Sequence, residues 1–228
     1  MSDLLIKLWQ NGILQLGIWE TIYMTLISTF FAYLIGLPVG LILRMTDRDG
    51  IHPIGWLNRT LGIIVNALRS IPFIILMVAM LPVAKFVVGT SLGNRAVIVT
   101  LIIAAAPYVA RMVESAAKEV DAGVIEAAQS MGASTLRIIW KVIIPEIKPG
   151  IVSGALTAFT MSIDDFVISY FTAGSSSSTL AMTIYGMTKK RVSPEINAIS
   201  TLLFVTVILL LAIINIRENH VQHHAHHH

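Results

Sequence analysis

Residues 21–43 form a run of 23 without a charged side chain. At about 1.5 Å per residue, a helix of that length reaches about 34 Å and crosses a hydrocarbon core of about 30 Å. In lipid the backbone polar groups must be satisfied within the segment, so such a run is read as a helix. Residues 196–216 form a second charge-free run, of 21 residues. Three more apolar stretches lie between them. They cover about 71–88 with Lys85 near one end, about 92–112 ending at Arg111, and about 149–171 interrupted by Asp164 and Asp165. The pattern predicts an all-α, polytopic membrane protein with about five transmembrane helices. Residues 166–188 are also charge-free, but Gly174 and the serines at 175–178 break them into a polar turn and a short, partly buried helix.

Composition agrees. Of 228 residues, 55% are hydrophobic and 13% charged, against about 25% charged in soluble domains. That excludes a disordered chain. The net charge of +3 is too small and too scattered for a nucleic-acid partner, and basic flanks beside membrane lipid account for it. With no cysteine, disulfides, zinc-thiolate sites and thiol nucleophiles are excluded.

Charge asymmetry sets the expected orientation. Five spans put the termini on opposite sides. One side carries ten Lys or Arg: Arg44, Arg48, Arg59, Arg69, Arg111, Lys118, Arg137, Lys141, Lys148 and Arg217. The other carries six, among them the cluster at 189–191. The richer side is read as cytoplasmic, placing the N-terminus outside and the C-terminus inside. The first span is longer than a signal-peptide core and no small-residue cleavage site follows it, so it is expected in the mature protein. Residues 1–217 form the expected transmembrane domain. Residues 218–228 hold six His and look like the remnant of an added tag, the other reading being a natural metal-binding tail.

The polar segment 111–148 carries the most specific signal. Within it, residues 120–131 read as a short amphipathic helix, with Val124, Ala127, Ala128 and Met131 at helical spacing. Asp121 can cap its start, and Gly132 permits a sharp exit. Pro145 and Pro149 are expected to interrupt the chain before the fourth span. Without a partner such a helix would simply lie on the membrane surface.

Glu126-Ala127-Ala128, three residues, Gly132, nine residues and Val142-Ile143-Ile144-Pro145 resemble the EAA loop of ABC importer permeases. The family pattern ends I-x-L-P, so Val142 and Ile144 are conservative departures. The resemblance implies a type I importer permease fold, in which this loop supplies a cytoplasmic coupling helix for an ATPase subunit. It makes Glu126, Ala127, Ala128, Gly132 and Pro145 the candidate coupling residues. It also implies ATP-binding partner subunits, an extracytoplasmic substrate-binding protein, a permease homodimer or pseudo-symmetric heterodimer, and residence in a bacterial inner membrane. Over about residues 12–150 the chain resembles methionine-import permeases, through the segments 65–76, 88–93 and 106–114. From about residue 151 to 217 it resembles spermidine/putrescine-import permeases, through 160–169 and 192–198. Methionine or a related amino acid is therefore the first expected substrate and a polyamine the alternative.

Asp164 lies about 22 Å along the fourth span, where a charge facing lipid would cost several kcal/mol. Thr157, Thr160 and Asp164 share one face. Ser162 and Asp165 lie on the adjacent stripe. These five are the candidate translocation-path residues; the competing reading is carboxylates satisfied locally near the outer surface. No G-x-x-x-x-G-K-[ST] phosphate loop and no G-x-S-x-G elbow occur, so neither ATP hydrolysis nor nucleophilic catalysis is expected of this chain, and no cofactor is implied. A secondary transporter or channel would explain the spans but not the loop spacing, and no inverted repeat supports it. A non-transporting assembly subunit is the third alternative.

Overall fold

The structure, a computed structural model, describes residues 12–163, 182, 184–185 and 194–225. Helix α1 is Ile13–Thr46, α2 Gly55–Ser70, α3 Phe73–Val88, α4 Asn94–Lys118 and α5 Ala122–Ser130. Helix α6 is continuous through Thr135–Ile138, a π-helical turn Ile139–Ile143 and Ile144–Ile163. Helix α7 is Pro194–Ala225. Among the described residues, Gln15–Thr46, Asn94–Lys118 and Thr135–Thr160 are long and apolar enough to cross a membrane. The pair Gly55–Ser70 and Ile75–Val88, bent by 113°, makes a fourth if counted as one span, and Asn197–Ile213 is a shorter apolar helix. Met182, Ile184 and Tyr185 are helical, and Met182 packs on Met24, Val97, Ile98 and Leu101.

Helix α4 is the centre of the bundle, with Val97, Val109, Ala110 and Val113 almost fully buried. Helix α1 runs parallel to it: Glu20 meets Asn94 at one end, and Arg44 meets the carbonyl of Ala117 at the other. Lipid tails give no hydrophobic drive for helices to associate, so close approach through small residues has to hold the pair. Gly36 and Gly40, four residues apart, are those residues. A Cβ at Gly36 would stand 2.7 Å from Val109 Cβ, and one at Gly40 2.5 Å from the Ala110 carbonyl oxygen. The hydroxyls of Thr21 and Thr100, buried in these helices, donate to carbonyls four residues back, so neither donor is left unsatisfied. Tyr33 donates to the Ile151 carbonyl at 2.9 Å, joining α1 to α6.

The segment after α1, counted above only for its basic residues, folds largely into α2. Its one buried residue, Val65, packs with Leu43 and Ala110, while Trp56, Ile63 and Ile64 are exposed. Arg59 and Arg69, counted above as flank charges, lie on this amphipathic helix. One expectation changes: Pro145 and Pro149 do not interrupt the chain, and both lie within α6. Proline lacks the N–H that would close a helical turn. Just before Pro145 the ladder widens, with the Ile144 N–H bonding to the Ile139 carbonyl, and the helix continues. Pro72 stands immediately before α3, where a missing N–H is harmless.

Candidate functional site

One end of the bundle gathers α5, the start of α6, the end of α4 and the turn after α1. Helix α5 has only nine residues, too few to hold by itself. Three devices hold it. Asp121 Oδ1 accepts the Gly123 N–H at 2.6 Å, the expected N-cap. Ile125 and Ala128 are buried in a cluster with Ile138, Ile139 and Ile143 of α6. At the exit Gly132 has φ +76°; its N–H bonds to the Gln129 carbonyl and that of Ala133 to the Ala128 carbonyl. This is a Schellman turn, whose left-handed residue is easily supplied only by glycine.

The face of α5 turned away from the chain differs from the expected one. Of the four residues read as its apolar stripe, only Ala128 is buried; Ala127 is exposed, as are Val124 (52%) and Met131 (83%). Ile125 anchors the helix instead. On α6, Leu136 (69%) and Trp140 (66%), one helical turn apart, are exposed too. The α5–α6 corner therefore presents four large apolar side chains, a feature that marks an interaction surface. Leu136 and Trp140 fall inside the loop motif's nine unspecified residues, so the motif gave no reason to single them out. Glu126 is exposed on α5 and shares with Arg44 a cavity of about 200 Å³ under the helix. Pro145 is exposed just past the π turn.

An ionic network fixes this end. Lys118 Nζ lies 2.9 Å from Asp47 Oδ2 and 3.0 Å from Glu114 Oε1. Glu114 is also paired with Arg111, which reaches the Gly62 carbonyl of α2 at 3.2 Å. Its two cations, Arg111 and Lys118, stand among the flank charges of the sequence, but nothing in their spacing shows that α1, α2 and α4 converge on them. His52, isolated in the sequence, lies 2.7 Å from Thr135 Oγ1 and links the turn after α1 to the start of α6. The hydrogen bond from Lys118, with that from the Arg48 N–H, holds the Asp47 carboxyl below its usual value of 3.8. A lowered folded-state pKa contributes stability above the unfolded value and loses it as pH falls through the folded one. Such a part-exposed pair contributes at most about 1 kcal/mol. Asp47→Asn should therefore lower the Tm slightly at neutral pH. The gap should close as pH falls below about 4, and a gap that persists or widens in acid would count against the assignment.

The path candidates separate. Thr157 is half-buried and donates to the Ser153 carbonyl at 3.0 Å. Thr160 is 6% exposed and donates to the Leu156 carbonyl at 2.8 Å. Both hydroxyls are satisfied within α6. Ser162 falls in α6 but its side chain is outside the described set, and Asp164 and Asp165 lie outside the described residues.

The model of a family described as the binding-protein-dependent transport system inner membrane component matches residues 36–224. The chain belongs to that family. It is a permease, the multi-pass inner-membrane component of an ABC transport system, rather than its ATPase. The D-methionine transport system permease protein MetI of Salmonella typhimurium is 49% identical over 146 residues, 64% of this chain and 67% of that protein. A probable D-methionine permease of Vibrio cholerae is 38% identical over 209 residues, 92% of this chain and 89% of its own length. A 209-residue match in a permease of 228 residues must run well past residue 150, so likeness to methionine permeases is not confined to the first part. Among solved structures, a chain of the inward-facing MetNI methionine ABC transporter superposes with TM-score 0.82 at 37% identity, covering 91% of this chain and 97% of that one. An amino acid ABC transporter solved with histidines has the same fold, TM-score 0.64 at 21% identity. The permease thus has the type I importer fold.

Proposed function

We propose that this permease carries methionine or a closely related amino acid inward, as the membrane subunit of an ATP-driven importer. The likeness to methionine permeases and to the MetNI chain over more than nine-tenths of this chain carries the reading. In it, two permease subunits face each other and an extracytoplasmic binding protein delivers substrate. ATPase subunits on the cytoplasmic side receive the α5–α6 corner. The end bearing α5 is cytoplasmic, which puts the N-terminus outside and the C-terminus inside. The excess of Lys and Arg at that end supports this orientation. Glu126, Ala127 and Gly132 belong to the coupling surface, with Met131, Leu136 and Trp140 as its apolar contacts. Ala128 shapes it from within the chain, and Pro145 lies exposed beyond the π turn of α6. Thr157, Thr160, Ser162, Asp164 and Asp165 belong to the path. Residues 1–217 form the permease domain, and the His-rich tail at 218–228 takes no part.

The test is ATP-driven uptake in proteoliposomes containing the permease, a methionine-system ATPase and a methionine-binding protein. Accumulation of labelled methionine, with none of labelled spermidine when a polyamine-binding protein is supplied instead, is expected. The reverse selectivity would replace methionine by a polyamine. Uptake without an ATPase would replace the importer by a secondary transporter or channel. In the same system Trp140→Ser and Met131→Ser together should release the ATPase on copurification, since fully desolvated anchors dominate such interfaces.

A further inference from the structure

Where α2, α4 and α6 meet, a cavity of about 450 Å³ opens, within the range of small-ligand sites. Arg69, Arg111, Ser115 and Ser153 supply polar groups to its wall, and Met112 and Pro149 apolar ones. The two arginines differ. The Arg111 side chain is three-quarters buried and committed to Glu114 and to the Gly62 carbonyl. Arg69, at the end of α2, is exposed and forms no ion pair among the described residues. Ser153 is 8% exposed and begins a hydroxyl stripe continued by Thr157 and Thr160, four and then three residues on. The cavity therefore lies at the foot of the polar face of α6.

We propose that this cavity is a transit site for the carboxylate of a free amino acid, with Arg69 as its anchoring cation. The inference rests on the amino-acid import reading. A guanidinium meets a carboxylate through two parallel N–H donors, the strongest recognition available to an unpaired side chain here. The Ser115 and Ser153 hydroxyls can add neutral hydrogen bonds, and Met112 and Pro149 offer an apolar wall to the substrate side chain. The site is built to be weak. The Arg111 charge is already answered by Glu114, and Glu119 lines the same cavity eight residues further along the chain, about 12 Å if measured along a helix. A carboxylate is thus drawn by one free cation and repelled by a nearby anion, and a site on a conduction route must release what it binds. The unpaired charge of Arg69 disfavours a polycation at this point.

Two measurements test this on the permease–ATPase complex. In the first, with no binding protein present, phenylglyoxal modification of Arg69 is followed by mass spectrometry. Millimolar methionine should slow it, and methioninol, which lacks the carboxylate, should not. In the second, Arg69→Gln should lower the maximal uptake rate about tenfold at an unchanged half-saturating concentration of loaded binding protein. Arg69→Lys should recover much of the rate. Equal protection by methionine and methioninol, or parental uptake by Arg69→Gln, would overturn the proposal. Failure of the parental complex to transport methionine would strike the import reading instead, and the protection assay would still decide whether the cavity takes carboxylates.

Discussion

Gly132→Val should collapse ATP-driven uptake while the permease still inserts and reaches normal abundance. A Cβ at Gly132 would meet nothing within 4 Å, so crowding is not the obstacle. The obstacle is φ +76°, a conformation that costs an L-residue roughly 1–2 kcal/mol and a β-branched one more. At about 2 kcal/mol the native exit from α5 is disfavoured about thirtyfold. The nine-residue helix has little else to hold its angle beyond Asp121 and the packing of Ile125 and Ala128 on α6. Gly132→Asn should retain far more activity, because asparagine tolerates the left-handed region. The paired comparison separates backbone conformation from loss of a small side chain. Normal uptake by the valine variant would dissociate α5 from coupling.

The second large effect is expected at Gly40. Gly40→Leu should prevent α1 from lying against α4, so that little folded permease accumulates in the membrane. Gly40→Ala is the graded version. Its new methyl would sit 2.5 Å from the Ala110 carbonyl oxygen and 2.7 Å from Val113 Cβ, both on a well-packed helix. Overpacking of that kind costs about 1–3 kcal/mol and should appear as a lower Tm in detergent. Gly36→Ala should behave alike, with Val109 and the Ala106 carbonyl as its obstacles. Gly55→Ala, where a Cβ meets nothing within 4 Å, is the control and should leave Tm nearly unchanged. Equal Tm values for the Gly40 and Gly55 variants would mean that α1 and α4 can separate at no cost.

What the sequence made legible follows from which physical signal was local. Charge-free runs are local, and residues 21–43 and 196–216 fall inside α1 and α7. Capping chemistry is local too: Asp121 and Gly132 stand where their side-chain and backbone preferences place them. Burial is not local. Val124 and Ile125 are both apolar neighbours on α5, and only the position of α6 decides that Ile125 goes inward and Val124 outward. The same holds for Arg69 and Arg111, two flank charges until α2 folds back beside α4. Proline was the misleading local signal. Pro145 and Pro149 look like stops, yet the wide turn at Ile139–Ile143 lets the helix pass.

That passage has a mechanical consequence. Because α6 does not stop at its prolines, Thr135–Thr160 is a rod of 26 residues, about 39 Å long. Its near end holds α5 through Ile138, Ile139 and Ile143, and its far end carries Thr157 and Thr160. If the rod pivots at its near end, a tilt of about 10° sweeps the far end by about 7 Å, the width of an amino-acid side chain. Tyr33, bonded to the Ile151 carbonyl part-way along, ties α1 to that movement. The two prolines leave the segment around Glu146 with fewer backbone bonds to strain. Small rotations at the coupling end could then be geared up into a displacement large enough to open or close a passage, without any helix unfolding.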